Sequence, residues 1–242
     1  MKLALTILLI TTAFAQRPTR RGPPTSPDKV TAFAAGLYRS SAIYHGALIF
    51  DGSVFFPGIG VDFYEKLVVR GPNIEYYKRN GRDRTSIGIR PFNDDPFGIK
   101  LSGSQEPFRQ NERRAFELYF NWRKQWKRFT YRFFISHEMF HDNWNYLYQT
   151  LTIKALPFTR IGYGHGIGDK KHNQFVYGPN SRSGVAHHDF LVNVFIPFVP
   201  WQGAIIVNYT QPLIYHEENR AGSFVSTSDR PKVFQAIISY YF

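Results

Sequence analysis

The feature that most constrains this chain is a period of two in its apolar residues. Phe129, Tyr131, Phe133 and Ile135 alternate with Thr130, Arg132, Phe134 and Ser136. Phe116, Leu118, Phe120 and Trp122 alternate with Glu117, Tyr119 and Asn121. The same pattern runs through Phe190–Ile196 and Ile205–Thr210. Successive strand side chains point to opposite faces, so each segment has one apolar face and one polar face. A charge such as Glu117 or Arg132 inside such a segment is intolerable towards lipid but ordinary towards a wet lumen. A soluble β-sandwich also alternates, but its apolar face points inward and is seldom this aromatic. Here 17% of residues are aromatic, with 23 Phe and 15 Tyr, a load suited to interfacial girdles.

The last segment sharpens the constraint. Phe234, Ala236, Ile238, Tyr240 and Phe242 share one face. A lone amphipathic strand of this kind would be an aggregation hazard, and closure of a sheet removes that edge. A terminal Phe on such a strand also resembles the signal by which barrel proteins are recognised for outer-membrane assembly. Phe234, Ile238, Tyr240 and Phe242 are therefore the expected barrel-closing and assembly residues, pairing with a first strand near Thr31–Arg39.

Candidate strands fall near 31–39, 46–55, 60–69, 72–78, 84–91, 112–122, 128–136, 144–155, 158–167, 186–197, 203–214 and 232–242. Most approach the roughly 9–11 residues that a tilted strand needs to cross a bilayer. The links near 92–111, 168–185 and 215–231 are long and polar. Those at 79–83, 123–127, 156–157 and 198–202 are short, and Asn80-Gly81 is a favoured hairpin turn. Long and short links alternate, as they do in outer-membrane barrels with short periplasmic turns. The expected fold is all-β: a closed antiparallel up-and-down transmembrane barrel of about twelve strands, with 10–14 allowed.

The rest of the composition agrees. No cysteine is present, which excludes disulfides, thiolate metal sites and a Cys nucleophile. Beyond the N-terminus no apolar run is long enough for a membrane-spanning helix. The mean hydropathy of −0.33 is compatible with a barrel, because only alternate strand residues face lipid. The net charge of +12 is spread rather than blocked, which fits anionic lipid and lipopolysaccharide better than nucleic acid. Residues 1–15 carry Lys2, an apolar stretch from Leu3 to Ile10 and Ala13-Phe14-Ala15, the pattern of a signal peptide with a mature start at Gln16. Residues 16–30 are Pro-rich and basic, a flexible periplasmic tail. The barrel is expected over 31–242, in the outer membrane.

Several motifs compete for a chemical reading. His137-Glu138-Met139-Phe140-His141 fits the zinc-protease pattern H-E-x-x-H, which needs a helix to bring both imidazoles to one face. Here it follows an alternating strand and is expected on an external hairpin. His187-His188-Asp189 opens another strand, without triad spacing. Gly162-Tyr163-Gly164-His165-Gly166 lacks the strand–turn–helix context of a phosphate loop, so its glycines are expected to ease curvature or close packing. Trp122, Trp126, Trp144 and Trp201 sit at expected strand ends, as interface aromatics. Lys78, Arg79, Arg82, Arg84, Arg123, Lys124, Lys127 and Arg128 cluster at expected periplasmic turns, a surface suited to an acidic partner. No catalytic, cofactor-binding or metal-binding residue emerges, and the chain is expected not to be an enzyme.

The order of features resembles the MltA-interacting protein (MipA/OmpV) family. Ile43-Tyr44-His45-Gly46 is similar to its early Tyr-x-Gly segment. Pro57–Tyr64 followed by Gly71 is similar to its proline-led strand. Ala115–Leu118 with Trp122 resembles a central strand, Phe175–Gly178 through Ser183–Val185 its Tyr-Tyr-Gly-Val segment, and Val233–Phe242 its closing strand. The resemblance implies an outer-membrane scaffold that brings a murein lytic transglycosylase together with a peptidoglycan synthase, and no catalytic residues. A small porin-like channel and an outer-membrane hydrolase (esterase or deacylase) are the alternatives.

Overall fold

The computed structural model describes residues 30–40, 42–50, 53–63, 66–70, 73–80, 82–93, 99–100, 114–198, 203–214 and 233–241. The expected signal peptide, the basic tail, Trp201 and Phe242 lie outside the described residues. The chain begins with β1 (Val30–Arg39), then a small hairpin of β2 (Ala42–Tyr44) and β3 (Ala47–Phe50). β4 (Val54–Phe63), β5 (Leu67–Arg70), β6 (Asn73–Asn80) and β7 (Asp83–Asn93) follow. After the two-residue β8 (Ile99–Lys100) come β9 (Arg114–Trp126), β10 (Phe129–Glu138), β11 (Asn145–Leu156) and β12 (Thr159–Gly168). Helix α1 (Lys170–Tyr177) leads to β13 (Gly184–Phe198), β14 (Gly203–Ile214) and β15 (Val233–Tyr241).

All strands but β2 and β3 belong to one 13-stranded sheet, which includes the short β8. Each strand from β9 to β15 pairs antiparallel with the next in sequence. β7 pairs with β9 because β8 leaves the ladder to pair with the start of β4. β1 is bonded along both edges. Its Gly36 stands opposite Ile238 of β15 on one side and Pro57 of β4 on the other. Following neighbours round the sheet therefore leads back to β1, and β15 has the partner that the closing-strand argument expects.

Antiparallel order sorts the connections into two ends. β4, β6, β9, β11, β13 and β15 end, and β5, β7, β10, β12 and β14 begin, at the end where β1 starts, the near end. β1, β7, β10, β12 and β14 end, and β4, β9, β11, β13 and β15 begin, at the other, the far end, and the two-residue gap between β5 and β6 falls on that side too. Beyond residue 80 longer and shorter gaps between strands alternate as read from sequence, whereas the two-residue gap between β5 and β6 departs from that alternation.

Burial is inside out relative to a soluble domain. Glu117, Ser136 and Thr130 are buried, as are His187 and Asp189. Leu118, Phe120, Ile135 and Phe190, on the opposite parity of the same strands, are exposed. Ile59 is 77% exposed and Ile87 53%, which an aqueous surface would make costly. The polar parity is thus the inner one.

The early strands differ from expectation. The strand expected at 46–55 does not form as one piece. His45 (φ 46°) and Gly46 (φ 87°) both take the left-handed region, making a tight turn that folds β2 against β3. The strand expected at 60–69 breaks where the Lys66 N–H donates to the Phe63 carbonyl at 3.0 Å, a four-residue turn. The link expected at 123–127 shrinks to Lys127-Arg128, with Lys127 at φ 43°, so β9 runs on to Trp126. The connection read as 168–185 contains α1, whose N-terminus is capped by the Asp169 carboxylate accepting from the His172 N–H at 2.8 Å.

Bonding of β1 on both edges can be tested in a chain without cysteine. Ala35 faces Ser239 in β15 and Gly58 in β4. Opposed Cα atoms in antiparallel pairs are about 4.5–5.5 Å apart, within disulfide reach. Ala35→Cys/Ser239→Cys and Ala35→Cys/Gly58→Cys should both cross-link on mild oxidation, seen as altered mobility on non-reducing gels. One link without the other would leave β1 an open edge.

Candidate functional site

Among the described residues, a group of chemistry-bearing side chains gathers at the far end. Because β1 and β4 pair directly, the intervening β2–β3 hairpin has no place in the wall. Its turn carries His45, which contacts inner-face residues of β7, β9 and β11 and α1. From the other side α1 buries His172, Asn173, Val176 and Tyr177. The Tyr177 hydroxyl donates to the His45 carbonyl oxygen, tying the two insertions together.

Two hydrogen-bond chains run through this group, and their partners fix the proton positions. In the first, Arg90 Nη2 sits 2.8 Å from Glu117 Oε2 and 3.2 Å from His45 Nε2. A guanidinium only donates, so His45 Nε2 accepts and its Nδ1 carries the hydrogen. That Nδ1 lies 2.8 Å from His172 Nε2, which must accept in turn. His172 Nδ1 then donates to Asn173 Oδ1 at 2.9 Å, and Asn173 Nδ2 donates to the Arg182 carbonyl at 2.6 Å. In the second, His187 Nδ1 donates to Asp189 Oδ1 at 3.1 Å. His187 Nε2 then accepts from the Tyr146 hydroxyl at 2.7 Å, and the Tyr148 hydroxyl donates to Asp189 Oδ2. Tyr146 joins the chains by stacking on His45, with ring centroids 3.8 Å apart, and on His172 at 4.7 Å.

Such a network needs space close to the wall, and β12 supplies it. Gly162, Gly164, Gly166 and Gly168 all take the inner parity. A Cβ on Gly166 would lie 2.1 Å from His187 Nε2, and one on Gly168 would lie 2.1 Å from Asn173 Oδ1. The close-packing reading of these glycines is correct.

Chemically, the Asp189–His187–Tyr146 series has the connectivity of a proton relay ending in a phenol. Tyr146 is nevertheless buried, with His45, His172 and His187 stacked about it. Its hydroxyl is spent on His187. The arrangement locks the mouth more readily than it presents a nucleophile. Burial holds His172 down to about 4, with Asn173 and Asp169 pulling the other way. His45 is also held well below its ordinary value, first by burial and then by repulsion from His172 and Arg90.

The residues singled out from sequence are dispersed. His137 and Glu138 close β10, and the motif continues into a turn. The Glu138 carboxylate accepts the backbone N–H groups of Phe140, His141, Asp142 and Asn143 at 2.9–3.1 Å, which organises that turn and leaves no helix for a zinc protease motif. His188 falls on the outer parity, hydrogen-bonded to the Tyr163 hydroxyl, away from His187. Trp126 is 44% exposed at the near end and Trp122 half-buried, as interface aromatics can be. Trp144 corrects the expectation: it is fully buried, edge-on to His45 and His172 and beside Phe175. It precedes β11 at the inserted helix, so it packs inward instead of meeting lipid.

Among the basic residues, Lys78, Arg82, Lys127 and Arg128 are exposed at the near end. Lys124 pairs with Asp83 at 3.7 Å and lies over the Trp126 ring. Arg84 departs from the expected docking surface. It lies over the Tyr77 ring and pairs with Glu75 at 2.8 Å on the inner face. Arg123 shares its parity with Glu117 and Asn121 and is also inward. Arg79 stands opposite Arg84 in the β6–β7 register. In the closing strand Phe234 is 42% exposed and packs against Tyr38, while Ile238 and Tyr240 hold register positions opposite Gly36 and Ala34. The roles of His45, Arg90, Glu117 and Tyr146 escaped the sequence reading. Parity placed Glu117 inward and could have placed Tyr146 there, but nothing local brings His45 to them.

Neither a protein-family model nor a curated protein matches the sequence, so the MipA/OmpV resemblance rests on the segments quoted above. Among solved structures, Neisserial surface protein A is similar over 88% of this chain and 94% of that one, at 12% identity and a TM-score of 0.21. A likeness that loose carries no argument about fold or function.

The neutral His45–His172 pair predicts a pH dependence. A folded-state value near 4 for His172, against about 6.5 unfolded, means that the unfolded chain binds more protons between those limits. Stability should therefore rise with pH through that window and be lost as pH falls from 6.5 towards 4, by on the order of 3 kcal/mol. Urea unfolding of the refolded protein at pH 7 and pH 5 measures it, and His172→Gln should flatten the difference. A wild-type midpoint that does not move would refute the neutral pair.

Proposed function

We propose that this chain is an outer-membrane β-barrel acting as a non-enzymatic envelope scaffold. Its near end would face the periplasm and its far mouth would be stoppered by α1 and the β2–β3 hairpin. One observation carries the membrane reading: exposed surfaces of the strands are apolar and aromatic, while buried surfaces hold carboxylates, imidazoles and hydroxyls. In a bilayer that pattern is favourable, and every backbone edge must also find a partner. The pairing of β1 on both sides meets that second demand.

The scaffold reading is supported by the near end. Lys78, Arg82, Lys127 and Arg128 extend from adjacent hairpins there, beside the exposed Trp126 and Phe129. Such a rim suits the inner-leaflet headgroups and an acidic face of a periplasmic partner. The family resemblance points to peptidoglycan-remodelling enzymes, a murein lytic transglycosylase or a peptidoglycan synthase, as that partner. A freely conducting pore fits less well with the enclosed far-mouth network.

The membrane reading predicts that the mature protein in detergent migrates differently on gels with and without boiling. Equal migration, together with solubility without detergent, would overturn it. The scaffold reading predicts that envelope cross-linking recovers a murein enzyme with the wild-type chain. Recovery should fall severalfold with the quadruple variant Lys78→Glu/Arg82→Glu/Lys127→Glu/Arg128→Glu, while the gel shift persists. Unchanged recovery would remove the rim from the interaction.

A further inference from the structure

Two imidazoles sit on the outer wall, where the parity is otherwise mostly apolar. Ile161 and Tyr163 of β12 and Phe190 of β13 are exposed on that face. Next to them, towards the far end, His165 stands directly opposite His188. β12 ends just beyond His165, at Gly168, and β13 begins just before His188, at Gly184. At about 3.3 Å per residue the pair is on the order of 10 Å from the strand ends. In a bilayer that is the border between the apolar wall and the headgroups.

Three rings meet at this place. The Tyr163 hydroxyl is hydrogen-bonded to His188 Nδ1. The Tyr163 ring centroid lies 5.6 Å from that of His188 and 6.2 Å from that of His165, and the two imidazole centroids are 6.5 Å apart. His165 makes ring contacts and no hydrogen bond to the protein, so this half-buried polar ring has no polar partner in the chain. Immediately beyond the pair the ladder is interrupted. Gly166 stands opposite His187 but Ile167 opposite Val185, which leaves Ala186 as an extra residue in β13. Bulges of this kind re-aim neighbouring side chains and gather beside functional sites.

The spacing suits a shared ion. Directly opposed residues have Cβ atoms about 4.5–5.5 Å apart. Metal–nitrogen bonds of about 2.0–2.1 Å at a tetrahedral angle put two coordinated imidazole centroids roughly 5 Å apart. Side-chain rotation alone closes the 6.5 Å separation to that value. Neutral imidazole is a preferred ligand of zinc, copper and nickel.

We propose that His165 and His188 form a two-imidazole site for a divalent transition-metal ion such as zinc, on the outer wall at the level of the far rim. Each ring supplies one nitrogen and water completes the coordination. At His188 the metal–nitrogen bond replaces the hydrogen bond now made at Nδ1 with the Tyr163 hydroxyl, so the site does not depend on an idle ring. The bound ion ties β12 to β13 beside the bulge, where the backbone ladder is weakest. The inference goes beyond the scaffold reading and shares no residue with the near-end rim.

The test is calorimetric titration of zinc chloride into the full mature protein, folded in zwitterionic detergent and freed of metal with a chelator. One saturable site is expected. His165→Ala and His188→Ala should each weaken it about tenfold or more, the effect of losing one of two ligands. His141→Ala, which removes an exposed imidazole from the β10–β11 turn, should bind within about twofold of wild type. Copper(II) in place of zinc should show the electron paramagnetic resonance splitting of a pair of equivalent imidazole nitrogens, reduced to that of a single nitrogen in each of the His165 and His188 variants. The boiled and unboiled gel shift is recorded throughout, so that loss of fold is not mistaken for loss of the site. No saturable zinc binding below about 1 mM, or wild-type affinity in the folded His165 and His188 variants, would overturn the proposal. A chain that keeps the gel shift and ignores zinc loses the site and keeps the membrane reading.

Discussion

The rest of the structure depends on the pairing of β1 along both of its edges. A strand with one free edge must be covered, and a strand in a bilayer has no water to satisfy its spare N–H and C=O groups. Here the edge is met by β4 on one side and β15 on the other, over almost the full length of β1. That pairing has a consequence for residues 40–53. Since β1 and β4 are direct neighbours, the segment joining them is excluded from the wall and must fold at the far end. The His45–Gly46 turn makes it compact, and inner-face polar groups of β7, β9 and β11 give it partners. The stoppered mouth is thus a product of how the sheet meets itself.

Once the wall faces apolar outward, the lumen must solvate every polar side chain that alternation sends inward. Burying an unpaired charge costs several kcal/mol. The far half meets this with continuous chains: Glu117 to Arg90 to His45 to His172 to Asn173, and Asp189 to His187 to Tyr146. In the first chain His45 and His172 each donate from one nitrogen and accept at the other, so protonation of either breaks it. The glycines of β12 admit these rings against the backbone. Nearer the other end, Arg84 pairs with Glu75 and Arg132 donates to the Asn121 amide oxygen.

How much of this was legible depended on whether the signal was local. The alternation through Phe129–Ser136 placed the inner and outer faces of β10 correctly, because strand parity is a property of the backbone. The links beyond residue 80 came out close to their positions for the same reason. Helix α1 did not. Eight residues reading KKHNQFVY are too few to form a helix on their own, and theirs is held by the Asp169 cap and by burial of His172, Val176 and Tyr177. Trp144 was misplaced because strand-end position was taken as membrane level, whereas an inserted helix had turned that strand end into core. The opposition of Arg84, Arg123 and Arg132 was invisible until register was known, since it comes from the pairing of β7, β9 and β10.

Parity also separates residues that a sequence reading joins. His187 and His188 are adjacent, yet the first is buried in the far-mouth network and the second meets Tyr163 on the outer wall. Arg123 and Lys124 are adjacent, yet one turns to the lumen and the other pairs with Asp83 beside Trp126 outside. A basic cluster in a strand is therefore two half-clusters on opposite surfaces, each facing different chemistry. What looked like one docking patch divides into sets on opposite faces of the sheet. Substitutions at Arg123 and at Lys124 are one position apart, but they act on opposite faces of the sheet.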